Sequence, residues 1–360
     1  MTQQSITNVT NGNKMTPEAI RQARIDNPKM RERDLAQQLT ISEADFVAAY
    51  CGISATRITP QIETFLTEIE ALGEVMALTR NESAVHEKIG VYDKPIVGKH
   101  ASMMLGEQID LRLFPKSWAH GFAVEKDDGD VVRRSLQFFD AAGEAIHKIH
   151  LRPASNLEAY TALVAKLKLE DQSQTIETTE LPKLEQKKRE LEELDTAGLR
   201  DRWTQMKDVH EFFGILNSLE MTRHQAVQVI GQDYAWQLDN DALTAMIHHA
   251  AQEALPIMCF VGNRGCIQIH SGPVQNVKPM GPWINVMDET FHLHLRTDHI
   301  AELWAVRKPT KDGHVTSLEA YGAEGEMIIQ FFGKRHEGSH ERPDWRNLVE
   351  SLPRLMRVAA

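Results

Sequence analysis

The sequence predicts an α+β protein: a tandem duplication of two similar halves, each a large antiparallel β-sheet with accompanying helices. Three observations carry this. First, residues 135–146 (SLQFFDAAGEAI) and 317–328 (SLEAYGAEGEMI) agree at six of twelve positions, 182 residues apart. Second, at the same spacing Ala123-Val124 matches Ala305-Val306, Lys126 matches Lys308, Asn81 matches Asn263 and Gly90 matches Gly272. Third, helical patterns open each half and alternating strand patterns follow, the order expected of α+β architecture. A repeat of this length describes two homologous units rather than a solenoid. The expected organisation is an N-terminal half over 1–168, a linker over 169–182 and a C-terminal half over 183–360.

The elements follow in order. Thr16-Pro17-Glu18 reads as a helix start, with Thr as cap and Pro in the first turn. A second helix is expected over 31–39. A third opens at 40–43, with Ala44, Phe46, Val47 and Tyr50 as apolar contacts. Residues 75–78, 111–114, 121–124 and 135–139 read as strands, separated by turn signals at 127–130 and 140–143, as in a meander. Residues 156–167 read as a helix. The segment 170–182 (EDQSQTIETTELP) is polar and reads as an exposed linker, and 183–193 as a charge-rich helix.

Composition narrows the function classes. Of 360 residues, 42% are hydrophobic and 25% charged, which suits a globular protein. No run reaches the ~18 apolar residues of a membrane span, and the first residues show no basic and apolar leader. The formal net charge is −11, which opposes general binding to phosphate backbones. Three cysteines, Cys51, Cys259 and Cys266, cannot all pair, in keeping with a reducing, cytoplasmic setting. Sixteen histidines are many, and point to metal, haem or proton chemistry.

Several groups of residues can carry chemistry. In 206–213 (MKDVHEFF), helical spacing places His210 near Val209, Phe212 and Phe213, an imidazole beside aromatic rings that suits a porphyrin. The same residues also describe an ordinary helix histidine. Arg112 and Phe114 alternate on one strand and share a face, so a cation lies beside an aromatic ring; a surface Arg beside a core-edge Phe is the plainer alternative. Arg335, with Arg223 and Lys308, can pair with carboxylates, although each alone reads as a solvated charge. His292 and His294 share a strand face, but no third ligand stands at a metal-site spacing. Cys259, Cys266 and His270 fit no zinc spacing, and read as buried thiols and a strand histidine. No phosphate loop, nucleophile elbow or zincin motif is present. Residues 34–50 have a helix-turn-helix outline, but the second helix (EADFVAAY) is acidic and apolar, unlike a DNA reader.

The segments NPKMRERDLA, LTRNESAVHEKIG, DLRLFPKSWAHGF, DVHEFF, WAVRKPT and QFFGKR together resemble the bacterial cytoplasmic haem-trafficking proteins, also called hemin-degrading factors. The resemblance runs from about Thr16 to about Arg354. It implies haem as the cofactor or cargo, held mainly by the C-terminal half, with His210 as the proximal iron ligand and Arg112 on the distal side. It implies Phe114, Phe213 and Phe260 as aromatic neighbours of the haem, and Arg223, Lys308 and Arg335 near its propionates. It also implies His86 as the ligand of a second, N-terminal haem site. A tyrosine expected on the last strand has no match, since the residue there is Ile329.

The function so implied is acceptance of imported haem and its delivery for degradation or iron use. The alternative is a reductant- and O2-dependent haem-degrading enzyme, with Arg112 as the distal catalytic group. A haem-responsive DNA binder is a third class, disfavoured by the charge. A cytoplasmic heme oxygenase and the inner-membrane haem importer are the partners implied. No specific nucleic acid and no membrane insertion are expected, and the chain is expected as a monomer or homodimer.

Overall fold

The computed structural model describes residues 15–182, 189–335 and 338–355. Capping chemistry sets the early helices. Helix α1 (Pro17–Asp26) starts behind Thr16, whose hydroxyl accepts from the Ala19 N–H. Helix α2 (Glu32–Gln38) follows. Helix α3 (Glu43–Ala48) starts with a reciprocal capping box between Ser42 and Asp45. It buries Glu43, Ala44, Phe46, Val47 and Ala48, which packs it into the first half.

The first half continues with β1 (Ala55–Ile58), α4 (Ile62–Glu68), β2 (Val75–Arg80), β3 (Ala84–Gly90), β4 (Pro95–Ile96), β5 (Ser102–Leu105), β6 (Asp110–Leu113), β7 (His120–Asp127), β8 (Val132–Phe139), β9 (Ala145–Leu151) and α5 (Leu157–Leu167). The second half has α6 (Thr196–Gln205), α7 (Glu211–Leu219), α8 (Arg223–Val229), β10 (Ala235–Leu238), α9 (Asp241–Gln252), β11 (Ile257–Gly262), β12 (Cys266–Gly272), β13 (Val277–Met280), β14 (Trp283–Met287), β15 (Phe291–Arg296), β16 (Glu302–Thr310), β17 (Gly313–Tyr321), β18 (Met327–Gly333) and α10 (Pro343–Ser351).

These strands form two nine-stranded antiparallel sheets, which confirms the α+β duplication. The orders are β1-β7-β8-β9-β2-β3-β15-β14-β13 and β10-β16-β17-β18-β11-β12-β6-β5-β4. The halves exchange strands: each sheet takes six strands from one half and three from the other. The expected picture of one sheet per half therefore gives way to two composite sheets. Strand β6 covers the edge that β12 would otherwise expose, and β15 does the same for β3.

The two sheets pack against each other. Phe291, Leu293 and Leu295 of the first share a core with Cys259, Val261 and Phe331 of the second. The duplicated asparagines lock this contact. Asn81 donates through Nδ2 to the carbonyls of Gly262 (3.2 Å) and Ile328 (2.8 Å). Asn263 donates to those of Arg80 (2.9 Å) and Ile146 (2.8 Å), the repeat-related positions. Each half thus satisfies orphan backbone carbonyls of the other.

The segment expected as an exposed linker is instead strapped to the first half. Gln172 accepts from the Arg57 N–H (2.9 Å), Gln174 donates to the Cys51 carbonyl (3.0 Å), and the Thr179 N–H donates to Ala141 (2.7 Å). Residues 183–188 of the expected charge-rich helix lie outside the described residues, and 191–193 form a single 3-10 turn. Cys51, Cys259 and Cys266 are buried free thiols.

Candidate functional site

Register places Arg112, Phe260 and Lys308, three of the expected site residues, on one face of the second sheet. Arg112 pairs with Ile267, Phe260 with Gln330, Gln330 with Glu319 and Glu319 with Trp304. Because strand side chains alternate and paired residues share a face, Arg112, Phe260, Glu319 and Lys308 all point the same way. The opposite face carries Leu111, Cys259, Leu318 and Phe331, all buried in the cores. On the first face Met258, Phe260, Ile267 and Phe332 are only half-buried, so the centre of the sheet is an open apolar floor. The Phe260 and Phe332 rings meet edge-on, 5.2 Å apart.

Helix α7 lies over the β16 and β17 side of that floor. Phe212 is buried against Trp203 (5.0 Å), whose indole N–H donates to the Arg307 carbonyl (3.0 Å). Phe213, one residue on, is 61% exposed. Sequence spacing treated the two rings alike; the structure gives Phe212 to the core and leaves Phe213 as an uncovered apolar surface. His210 is the residue just before α7, and its side chain is 82% exposed. Its Nδ1 lies 2.7 Å from Asp208 Oδ1, so Nε2 is the nitrogen left to a ligand.

Arg223 and Lys308 are on this face, but not as solvated charges. Both bind Glu319, a carboxylate with no exposed side-chain surface. Arg223 donates through Nε (2.9 Å) and Nη2 (2.8 Å), Lys308 through Nζ (2.7 Å), Ser317 through its hydroxyl (2.7 Å) and Tyr321 through its phenol (2.6 Å). Burial alone would raise the Glu319 carboxyl, but Arg223 and Lys308 hold it far below the usual range. Burial pushes the Lys308 ammonium down to about 8 against the pull of Glu319. Two cations against one carboxylate leave an excess positive charge beneath α7. Lys308 Nζ sits 4.8 Å from the Phe212 ring centre, and the Arg223 guanidinium 6.0 Å from that of Phe213.

Arg112 stands on β6, two strands beyond Phe260, its side chain 33% exposed. It ion-pairs with Asp110 and donates to the Leu111 carbonyl (3.1 Å), both through Nη1. Phe114 lies just past the end of β6 and is half-buried, its N–H bonded to the Gly265 carbonyl (2.9 Å). Arg335 is half-buried just past the end of β18.

His86 is elsewhere. It is fully buried, its ring 4.9 Å from Phe291, which in turn stacks on His270 at 3.9 Å. Burial holds the His86 ring neutral, well below the usual imidazole range. It lies in the core between the two sheets, away from the open face of the second sheet. Ile329, where a tyrosine was expected, also faces the core. The phenol near the site comes from Tyr321 on the neighbouring strand.

The repeat explains why the first sheet lacks this floor. At a spacing of 182, Phe260, Phe332 and Ile269 correspond to Leu78, His150 and Glu87, and Arg112 corresponds to His294. There His292 Nδ1 binds Glu87 (2.9 Å) and His294 Nδ1 binds Asn285 (2.6 Å). Among the described residues no three His, Cys, Asp or Glu side chains are grouped to hold a metal ion. The second sheet alone joins an apolar floor to an accessible imidazole and buried cations. Such a face suits a flat apolar ligand that carries an electron-pair acceptor and acid groups.

Sequence reasoning missed Glu319 and Asp208. The repeat held a signal for the first, since Glu319 replaces Gln137 of the other half. For Asp208 the signal was its position two residues before His210, where a carboxylate can cap a turn.

The haemin-degrading HemS.ChuX domain matches residues 40–167 and 220–352 of this chain. The chain belongs to this family. It is 41% identical over 337 residues to the hemin transport protein HemS of Yersinia enterocolitica, covering 92% of this chain and 95% of that protein. The fold is similar to that of holo-PhuS, a heme-binding protein from Pseudomonas aeruginosa. That match has a TM-score of 0.92 at 41% identity and covers 95% of this chain and 100% of PhuS. ChuS, an E. coli heme oxygenase, is similar with a TM-score of 0.83 at 36% identity, covering 91% of this chain and 98% of ChuS. Both halves of this HemS/ChuX-family chain carry the family domain, in agreement with the internal repeat. No helix among the described residues is long and apolar enough to cross a membrane.

Proposed function

We propose that this protein binds haem on the open face of the second sheet, accepts it after import and delivers it for degradation or iron use. The observation that carries this reading is His210, an exposed imidazole with Nε2 left free, at the start of a helix that lies over an apolar floor and presents the uncovered Phe213. The residues fit the group. His210 would hold the iron, Phe213, Phe260 and Phe332 would cover the macrocycle, and Arg223, Lys308 and Arg335 would attract the propionates. Haem supplies a ferric or ferrous centre that needs an imidazole donor. Arg112 offers guanidinium N–H groups from the same sheet face and Phe114 an aromatic edge. The C-terminal half, 183–360, supplies most of this site, and β6 of the first half completes it.

A carrier needs a ligand it can release. The exposure of His210 and Phe213 favours that, because neither is sealed from a partner. A cytoplasmic location, a cytoplasmic heme oxygenase as recipient and the inner-membrane haem importer as donor complete this reading, for a chain acting as monomer or homodimer. The second reading is haem degradation with reductant and O2. Arg112 favours it, because its guanidinium N–H groups would donate hydrogen bonds beside the haem, which would supply the oxygen chemistry. The similarity to ChuS supports it too.

Titration of the apo-protein with hemin, beside His210→Ala, tests the reading. Saturable one-to-one Soret change that is lost or shifted in the variant is expected. No saturable binding, or an identical spectrum in the variant, refutes it. Reductant and oxygen added with catalase then separate the two functions. A stable Soret band means a carrier, and catalase-resistant loss with iron release means an enzyme.

A further inference from the structure

His210 is not a bare imidazole. Asp208 Oδ1 accepts two bonds from it, one from its backbone N–H (2.8 Å) and one from ring Nδ1 (2.7 Å). A carboxylate only accepts, so the proton of the neutral ring sits on Nδ1 and the lone pair on Nε2.

The turn that carries Asp208 has little freedom. The Lys311 N–H, from the β16–β17 hairpin, donates to the Lys207 carbonyl (2.9 Å). The Glu211 N–H donates to the Asp208 carbonyl (3.1 Å), and Glu211 Oε1 accepts from the Lys207 N–H (3.4 Å). The turn is therefore anchored to the sheet on one side and closed by the first residue of α7 on the other. Without an acceptor at Nδ1, a neutral exposed ring divides between its two tautomers and turns about χ1 and χ2. The Nε2–H states present Nδ1, the nitrogen crowded by its own backbone.

We propose that Asp208 is the positioning residue of this site: its carboxylate commits His210 to the Nδ1–H tautomer, fixes the ring and makes Nε2 the stronger donor to iron. Carboxylate partners of ligating histidines act in this way in metal sites generally. The proposal rests on haem being the ligand of His210.

Two variants test it, Asp208→Ala and Asp208→Asn, and the first readout needs no haem. In the 15N-labelled apo-protein, long-range 1H–15N spectra recorded with the ring neutral are expected to show a protonated Nδ1 and an unprotonated Nε2 in the wild type. Asp208→Ala is expected to move the ring toward the Nε2–H form. Asp208→Asn keeps an oxygen acceptor and is expected to keep the wild-type tautomer. Hemin affinity is expected to fall about 10–100-fold in Asp208→Ala, with Asp208→Asn between it and the wild type. A thermal melt of each variant separates this from unfolding. A wild-type tautomer and wild-type hemin affinity in Asp208→Ala overturn the proposal, whatever happens to the melting point. Failure of the functional reading looks different: wild type and His210→Ala then titrate alike with hemin, although the apo tautomer still answers to Asp208.

Discussion

Substitution Glu319→Gln tests the central electrostatic claim. Glu319 is fully buried and accepts five hydrogen bonds, three of them from Arg223 and Lys308. The amide has nearly the same volume, so no cavity forms. It loses the charge, however, and presents an NH2 group to donors. Two cations then share a buried space with no anion. Breaking a buried ion pair from one side costs about 3–5 kcal/mol. At an unfolding entropy of about 2.1 cal/mol/K per residue, that is a fall of roughly 4–7 °C in Tm for a chain of this length. Urea unfolding at pH 7, followed by tryptophan fluorescence, measures the loss as a lower midpoint at unchanged slope. The double variant with Lys308→Met should recover part of it, because one of the stranded cations leaves with the carboxylate. Hemin affinity should not fall, since the positive charge available to propionates rises. A loss below about 1 kcal/mol, or strict additivity in the double variant, would refute the argument that Glu319 is the counter-charge of the site.

Acid should destabilise the protein in two stages. His147 is buried neutral, with burial lowering its pKa from 6.5 to about 3. The unfolded chain therefore binds the extra proton between those values, and stability falls as pH drops from 6.5 toward 3. Glu43 is resisted by burial but held down to about 2 by Lys148 and Arg80, so its contribution is complete above 4.5 and is lost as pH falls toward 2. By the shift it amounts to about 3 kcal/mol. Urea midpoints across pH 3–8 for wild type and Glu43→Gln check this: the variant should show a weaker slope below pH 4.5, and parallel curves would contradict it. Phe213→Ala should change stability by less than about 1 kcal/mol, because the ring is exposed, yet weaken hemin binding several-fold through lost aromatic contact. Equal hemin affinity in that variant would remove Phe213 from the site.

Much of this molecule is local and was legible. Thr16 caps α1 where its side chain reads as a cap, and Ser42 caps α3 within the expected opening at 40–43, because capping is decided within four residues. Alternation located the strands near 75, 111, 121 and 135. The 182-residue repeat identified the duplication, and it foretold that Asn81 and Asn263 would play matching parts. The motif around His210 read as helical, and His210 occupies the position just before α7 rather than lying within it.

Other features were not local. Period-two alternation says which residues share a face, but not which strand lies alongside, so the exchange of β4–β6 and β13–β15 between halves had no signature in either segment. The same limit hid the fate of single side chains. His86 and His210 are the same residue type, yet one fills the seam between two sheets and the other stands in solvent. Arg223 and Lys308 read as surface charges until register placed Glu319 between them.

By itself, then, the sequence determined the duplicated α+β architecture, the helix ends, the strand faces and the family, all of which rest on contacts between near neighbours or on copied pattern. Only the tertiary structure decided which sheet offers an apolar floor, which histidine is reachable and which charges are already paired. Those depend on which elements come to lie alongside one another, as when Arg223 meets Glu319 96 positions on, and there burial and the cost of an unpaired charge choose the partner.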